Sequence, residues 1–266
     1  MAGLPRSGST LLSAILNQNP DFYVGPATDL PRMMIALHQE IQKSESFVCG
    51  YNPQGYFNVV KEIPNNFYAN IDRKYIVDKN RTWGTPDYLQ LLDAISSDVK
   101  IICPVRPILE ILASFVRLAE QNPNNFIDAL LDEIPAGSYR ARNDSRCDVL
   151  MAPNKQIEQN ILSIASALIP EHASKFHFVV YSDLVNKPQE TMFKIYEFLN
   201  LPNFQHNFNH LIWTPMPNEA EVYGIPNLHS IQPQLRPSQT DVAILSDYVK
   251  TKYERTLDFL HPRIKI

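Results

Sequence analysis

At 266 residues, with 44% hydrophobic and 20% charged residues and a formal net charge of -4, the chain reads as one globular α/β unit spanning 1–266. The mild negative balance argues against a nucleic-acid binder that works through a general basic surface, and leaves room for a small anionic ligand held by a local positive patch. Cys49, Cys103 and Cys147 are scattered without CxxC spacing, no run reaches 18 apolar residues, and the start carries no signal-peptide pattern; a cytoplasmic protein with reduced thiols and no membrane segment is expected.

The chain opens on Gly3-Leu4-Pro5-Arg6-Ser7-Gly8-Ser9-Thr10, glycines with a cation and hydroxyls ahead of a predicted helix over 10–17. Glycines let main-chain amides approach an anion, and a helix N-terminus adds unpaired donors. The apolar strand that should lead into such a loop is cut to Met1–Leu4, so that either native residues precede it or the first strand is short. Ser9 stands where a Walker loop has its lysine, which disfavours a nucleoside-triphosphate hydrolase.

Further along, Phe22–Gly25 reads as a strand, Pro31–Ile41 as a helix, 49–55 as turns and Tyr56–Ile71 as a helix broken near Pro64. Tyr75–Asp78 is a short strand ending at Lys79, and Thr85-Pro86-Asp87 opens a helix. Val99–Val105 is the clearest buried strand, and Pro107 starts a crossover helix with apolar Ile108, Ile111, Leu112 and Phe115. Helices follow at 124–131, 155–168 and 188–199, with a strand at Phe176–Tyr181. Strands separated by helices predict a P-loop-type three-layer fold, its central, mostly parallel sheet flanked by helices. The stretch 200–237, rich in Asn, Pro and His, reads as an irregular covering or substrate-site segment.

Pro5 to Leu12 resembles the 5′-phosphosulfate loop of sulfotransferases that use 3′-phosphoadenylyl sulfate (PAPS). A second match follows, where Val105-Arg106-Pro107 ends a strand and Ser114-Phe115-Val116-Arg117 lies on the next helix, similar to that family's 3′-phosphate site. Within the superfamily the pattern looks most like tyrosylprotein and carbohydrate sulfotransferases, through Asn19-Pro20-Asp21, Gly25, Thr28, Pro31-Arg32, Asp78-Lys79 and Tyr181-Ser182-Asp183-Leu184. Pro26-Ala27 replaces the paired acidic residues of the tyrosylprotein enzymes, Ala27 standing at their catalytic glutamate, which argues against tyrosylprotein as the acceptor.

The resemblance implies PAPS as donor and adenosine 3′,5′-bisphosphate as product. Pro5, Arg6, Ser7, Gly8, Ser9 and Thr10 would hold the 5′-phosphosulfate, and Arg106, Ser114 and Tyr181 the 3′-phosphate end. Lys79 and Arg6 would stabilise the transferring group, with Asp29, Glu62 and His38 as alternative general bases. Trp83 fits either ring stacking or core packing. His206 and His210 lie four apart without metal-ligand context, and no metal is expected. The expected acceptor is a small molecule or carbohydrate bearing a hydroxyl or amine, with no nucleic-acid or membrane partner. A small-molecule kinase with an altered loop and a noncatalytic nucleotide-binding scaffold are the competing readings.

Overall fold

The computed structural model describes residues 1–134, 140–236 and 241–264. Among them, β1 (Phe22–Ala27) pairs in parallel with β2 (Tyr75–Lys79), and β3 (Ile101–Val105) with β4 (Phe176–Val180). Phe22 sits opposite Tyr75 and Ile101 opposite Phe176. The segment Met1–Leu4 runs between the two pairs. Ala2 N–H donates to the Ile102 carbonyl and Leu4 N–H to that of Pro104, both at 3.0 Å. On its other side the Met1 amino group donates to Asp78 O at 2.6 Å, and Asn80 N–H donates to Met1 O at 3.1 Å. Four residues thus bridge two parallel ribbons.

Helix α1 (Ser9–Leu16) leads out of the glycine-rich loop, and α2 (Leu30–Lys43), α3 (Glu45–Val48) and α4 (Pro53–Phe67) connect β1 to β2. α5 (Pro86–Ile95) links β2 to β3. The crossover to β4 holds α6 (Ile108–Gln121), α7 (Phe126–Leu131), α8 (Arg142–Met151), α9 (Gln156–Ala165) and α10 (Pro170–Ala173). After β4 come α11 (Tyr181–Asn186), α12 (Pro188–Leu199), α13 (Glu219–Tyr223) and α14 (Asp247–Tyr253).

Side chains alternate along the strands, and two apolar cores result. Ala2, Leu4, Ile101, Cys103, Val105 and Phe176 face one core, with α2, α5 and α6. Met1, Phe22, Val24, Ile102 and Val179 face the other, with α1 and α12. Layers of helix, sheet and helix follow directly. Trp83 belongs to the first core and donates from Nε1 to Asp78 Oδ1 at 2.5 Å, which makes it a packing residue.

Several boundaries differ from expectation. α4 continues through Pro64 to Phe67, because a proline this close to the helix end removes a single hydrogen bond. The helix also starts earlier, at Pro53, where Asn52 Oδ1 accepts from Gly55 N–H at 3.0 Å. The fourth strand stops at Val180, so that Tyr181 opens α11 instead of closing the strand. The covering segment 200–237 contains α13; its last residue, Pro237, lies outside the described residues.

His206 is buried among Tyr196, Phe204 and Phe208; neither ring nitrogen makes a well-formed hydrogen bond, and the Ile15 backbone offsets its burial only in part. Burial disfavours its charged form and pushes its pKa down to about 4 from 6.5. The unfolded chain therefore takes up a proton that the fold refuses, so stability is lost as pH falls from about 6.5 toward 4. His206→Leu should flatten this acid limb of the stability-versus-pH curve in chemical denaturation. Parallel curves for the variant and the parent would refute the assignment.

Candidate active site

The loop after Met1–Leu4 is built on left-handed backbone. Gly3 has φ 105°, Arg6 φ 56° and Gly8 φ 88°. A Cβ on Gly3 would sit 2.4 Å from the Pro104 carbonyl oxygen, and one on Gly8 2.7 Å from the Tyr181 ring; only glycine fits either place. Arg6 adopts the same region with a side chain, at a cost of roughly 1–2 kcal/mol. Surrounding contacts hold it there. Ser7 is fully buried, and its Oγ lies 2.5 Å from Leu4 O and 2.9 Å from Pro104 O. The Ser7 hydroxyl therefore fastens the loop to β3, and Pro5 is buried beneath it.

Above the loop lies a cleft of about 360 Å³, within the usual range of ligand pockets. Gly8, Ser9 and Thr10 line it at the N-terminus of α1, where no side chain caps the free amides. Arg6, Lys79, Arg81, Arg106 and Tyr181 line it as well. Arg6 Nε donates to Ser114 Oγ at 3.2 Å, and Arg106 Nη1 donates to the Arg6 carbonyl at 3.2 Å. The two separated sequence signatures thus meet in space. Arg106 is buried, lies 4.2 Å from the Tyr181 ring centroid, and is oriented by Glu110 Oε2 at 2.8 Å from its Nε. Burial and the neighbouring Arg106 and Arg81 charges push the Arg6 pKa down to about 10, which still leaves it charged at neutral pH.

Lys79, at the end of β2, is buried, with its Nζ 5.0 Å from the Trp213 ring centroid. Burial, reinforced by the Arg81 charge, brings its pKa down to about 8. The three carboxylate and imidazole groups expected as alternative bases do not line this cleft. Asp29 is exposed and paired with Arg32 at 3.0 Å, Glu62 is exposed and accepts from Asn65 at 2.8 Å, and His38 lies 3.0 Å from Gln42. Arg117 points away toward Asp241.

Instead, the covering segment supplies an acid–imidazole pair. Glu219, at the start of α13, is buried, and its Oε1 lies 2.6 Å from His229 Nδ1. The carboxylate favours the tautomer with hydrogen on Nδ1 and a lone pair on Nε2. Burial lowers the His229 pKa against the raising effect of Glu219, while the Arg81 and Lys79 charges lower it further. Trp213, Met216, Tyr223, Phe126 and Leu228 complete the wall. Sequence reading missed this pair; a lone His and a lone Glu ten residues apart in an irregular stretch carry no spacing signal. Among the described residues, no group of three His, Cys, Asp or Glu side chains is placed to hold a metal ion, and no helix is long and apolar enough to cross a membrane.

Parallel strands, a left-handed glycine loop opening a helix and two arginines converging on it define a P-loop-like α/β protein. The chain belongs to the sulfotransferase family, whose model matches residues 1–206. It is similar in fold to the sulfotransferase domain from the curacin biosynthetic pathway, at 19% identity and a TM-score of 0.56 over 98% of each chain. The sulfotransferase domain from the Synechococcus PCC 7002 olefin synthase matches at 20% identity and a TM-score of 0.50, over 97% of this chain and 92% of that one. No curated protein matches the sequence. Family and fold together support transfer of a sulfuryl group.

Lys79 forms no ion pair among the described residues, so its burial costs stability. Lys79→Met keeps most of the apolar length and removes the desolvated charge. Its melting temperature at pH 7 should equal or exceed that of the parent protein; a clear fall would show that Lys79 is held for packing.

Proposed function

We propose that the protein transfers the sulfuryl group of PAPS to a hydroxyl- or amine-bearing small molecule, releasing adenosine 3′,5′-bisphosphate. The observation that carries the reading is the junction of Arg6, Ser114 and Arg106 beside the uncapped N-terminus of α1. It provides two anion sites within one cleft, as a donor phosphorylated at both 3′ and 5′ positions requires. The amides of Gly8 to Thr10 and Arg6 would take the 5′-phosphosulfate, and Arg106, steadied by Tyr181 and Glu110, the 3′-phosphate. A kinase is disfavoured because Ser9 stands at the place of the lysine that pairs the β- and γ-phosphates.

In the transfer, the bond from sulfur to the bridging phosphate oxygen breaks while the acceptor oxygen or nitrogen bonds to sulfur. Lys79 faces the position where charge grows on the leaving oxygen, which is electrostatic stabilisation of the transition state. His229 Nε2 takes the acceptor proton, and Glu219 stabilises the imidazolium that results. This dyad replaces the carboxylate whose place Ala27 occupies.

Calorimetry tests the donor reading without an acceptor. Adenosine 3′,5′-bisphosphate should bind more tightly than AMP, and Arg106→Ala should weaken the bisphosphate by about 1.5–3 kcal/mol while affecting AMP less. Equal affinities, or an equal loss for both ligands, would remove Arg106 from 3′-phosphate recognition.

Once a sulfated product has been identified by mass spectrometry from labelled PAPS and an acceptor panel, kcat/KM should depend on pH as a bell. Its acid limb reports His229, which must be deprotonated and whose pKa burial holds below 6.5. The alkaline limb lies near pH 8, where Lys79 loses its proton. Lys79→Arg should move that limb upward, whereas a parent profile flat between pH 7 and 9 would exclude Lys79 as the charged group.

A further inference from the structure

Of the cations lining the cleft, the proposed transfer employs Arg6, Lys79 and Arg106, and leaves Arg81 and the exposed Arg236 unassigned. Arg81 stands on a rigid turn between β2 and α5. Its carbonyl accepts from Ser163 Oγ at 2.8 Å, and Gly84 N–H donates to the same Oγ at 3.0 Å. Asn80 Oδ1 receives both the Thr82 amide, at 2.9 Å, and the Thr82 hydroxyl, at 2.6 Å, while Asn80 Nδ2 donates to Thr28 O at 2.5 Å. The main chain is therefore fixed on every side, yet among the described residues no acid pairs with the Arg81 guanidinium and no hydrogen bond satisfies it. Burial weakens its hold on its proton, and the one neighbour that opposes this is the Tyr223 phenol. A planar, half-buried guanidinium on a stiff mount, with no acid or hydrogen-bond partner among the described residues, is suited to a bidentate anion.

Its neighbours indicate which anion. Arg81 acts electrostatically on Lys79 and His229, the groups assigned to the transfer, and also on Arg6 of the phosphate loop, while Arg106 packs on Tyr181 at the phosphate end. Across from it the wall is apolar and aromatic, with Phe126 6.1 Å from Tyr223 and Tyr223 6.1 Å from His229. Among the described residues the sole carboxylate lining the cleft, Glu219, is committed to His229.

Resting on the donor reading above, we infer that Arg81 binds an ionised carboxylate on the acceptor, and that the acceptor class is a hydroxy acid with an aromatic or apolar body. The carboxylate would anchor on Arg81 and the body pack on Trp213 and Tyr223, presenting the hydroxyl to His229 and Lys79. Arg81 would thereby set specificity without touching the donor.

The test uses 4-hydroxyphenylacetate and its methyl ester as probes, titrated calorimetrically into the whole protein with and without saturating adenosine 3′,5′-bisphosphate. The acid should bind about tenfold or more tightly than the ester, the worth of one charge-assisted contact. Arg81→Met should abolish that difference while leaving ester and bisphosphate affinities unchanged and the melting temperature no lower, and Arg81→Lys should restore part of it. Equal binding of acid and ester by the parent, or binding of neither, overturns the inference. A loss of bisphosphate affinity in Arg81→Met equal to its loss of acid affinity also overturns it, by moving Arg81 to the donor side. Failure of the parent to bind the bisphosphate is a separate result: it sinks the donor reading, while the titrations without nucleotide still read Arg81.

Discussion

The attachment of the first seven residues to β3 is the constraint on which the site depends. Two main-chain hydrogen bonds place Ala2 and Leu4 beside Ile102 and Pro104, and the Ser7 hydroxyl adds a third tie, again to Pro104. With both ends of the turn held, Arg6 has no choice but the left-handed region, and its carbonyl is delivered to Arg106. The same attachment sends α1 away from the sheet with its free amides facing the cleft. Gly3 follows from this closeness as much as from its φ, since a Cβ there would collide with the Pro104 carbonyl.

A site assembled in this way gathers like charges. Arg6 and Lys79 are shifted downward first by desolvation and then by their cationic neighbours, so the cleft concentrates positive charge. Elsewhere the molecule pairs its buried charges. Arg146 lies 2.7 Å from Asp128 Oδ1, and the same carboxylate takes Arg142 at 2.9 Å. Asp128 sits at a pKa of about 2; its burial alone would raise it, and the arginines and Asn125 overcome that effect. The contrast separates two uses of arginine: Arg146 and Arg142 are neutralised by Asp128 where they hold helices together, whereas at the cleft Arg106 has Glu110 and, among the described residues, Arg6 and Arg81 have no acid partner.

The donor half of the site was legible in the sequence because it is made of local chemistry: a glycine-rich turn before a helix, and Arg-Pro at a strand end before another. The layered fold was legible for the same reason, as apolar strands alternated with amphipathic helices. α8 was not, because Arg142 to Met151 is mostly polar: its apolar buried residues, Cys147, Val149 and Leu150, crowd into its second half, and its other buried positions are Ser145 and Arg146, which hydropathy scores as solvent-facing. Asp29 was a candidate base by its nearness in sequence to the missing glutamate, and Glu62 and His38 by residue type alone. The structure instead places Asp29 exposed at the N-cap of α2, Glu62 on the exposed surface of α4 and His38 against its helical neighbour Gln42. Glu219 and His229 became a pair only through tertiary folding of a segment without periodicity, beyond the residues that the family model matches.

That division between frame and segment has a mechanical consequence. The Arg6 guanidinium makes two contacts at once: Nε reaches Ser114 on α6, and Nη1 donates to the Leu228 carbonyl at 2.8 Å. Leu228 precedes His229 directly, so the cation that belongs to the phosphate loop also holds the strand of chain that carries the imidazole. The imidazole is fixed a second time through Glu219, whose Oε2 also accepts from the His229 amide at 3.3 Å. An irregular segment would ordinarily be the least defined part of an α/β fold. Here it is tied to the most constrained turn in the molecule, so that the acceptor wall inherits its position from the donor loop. Variation in the segment between Trp213 and Leu228 can then reshape the pocket while the two ties at Arg6 and Glu219 keep the imidazole over the same point of the cleft.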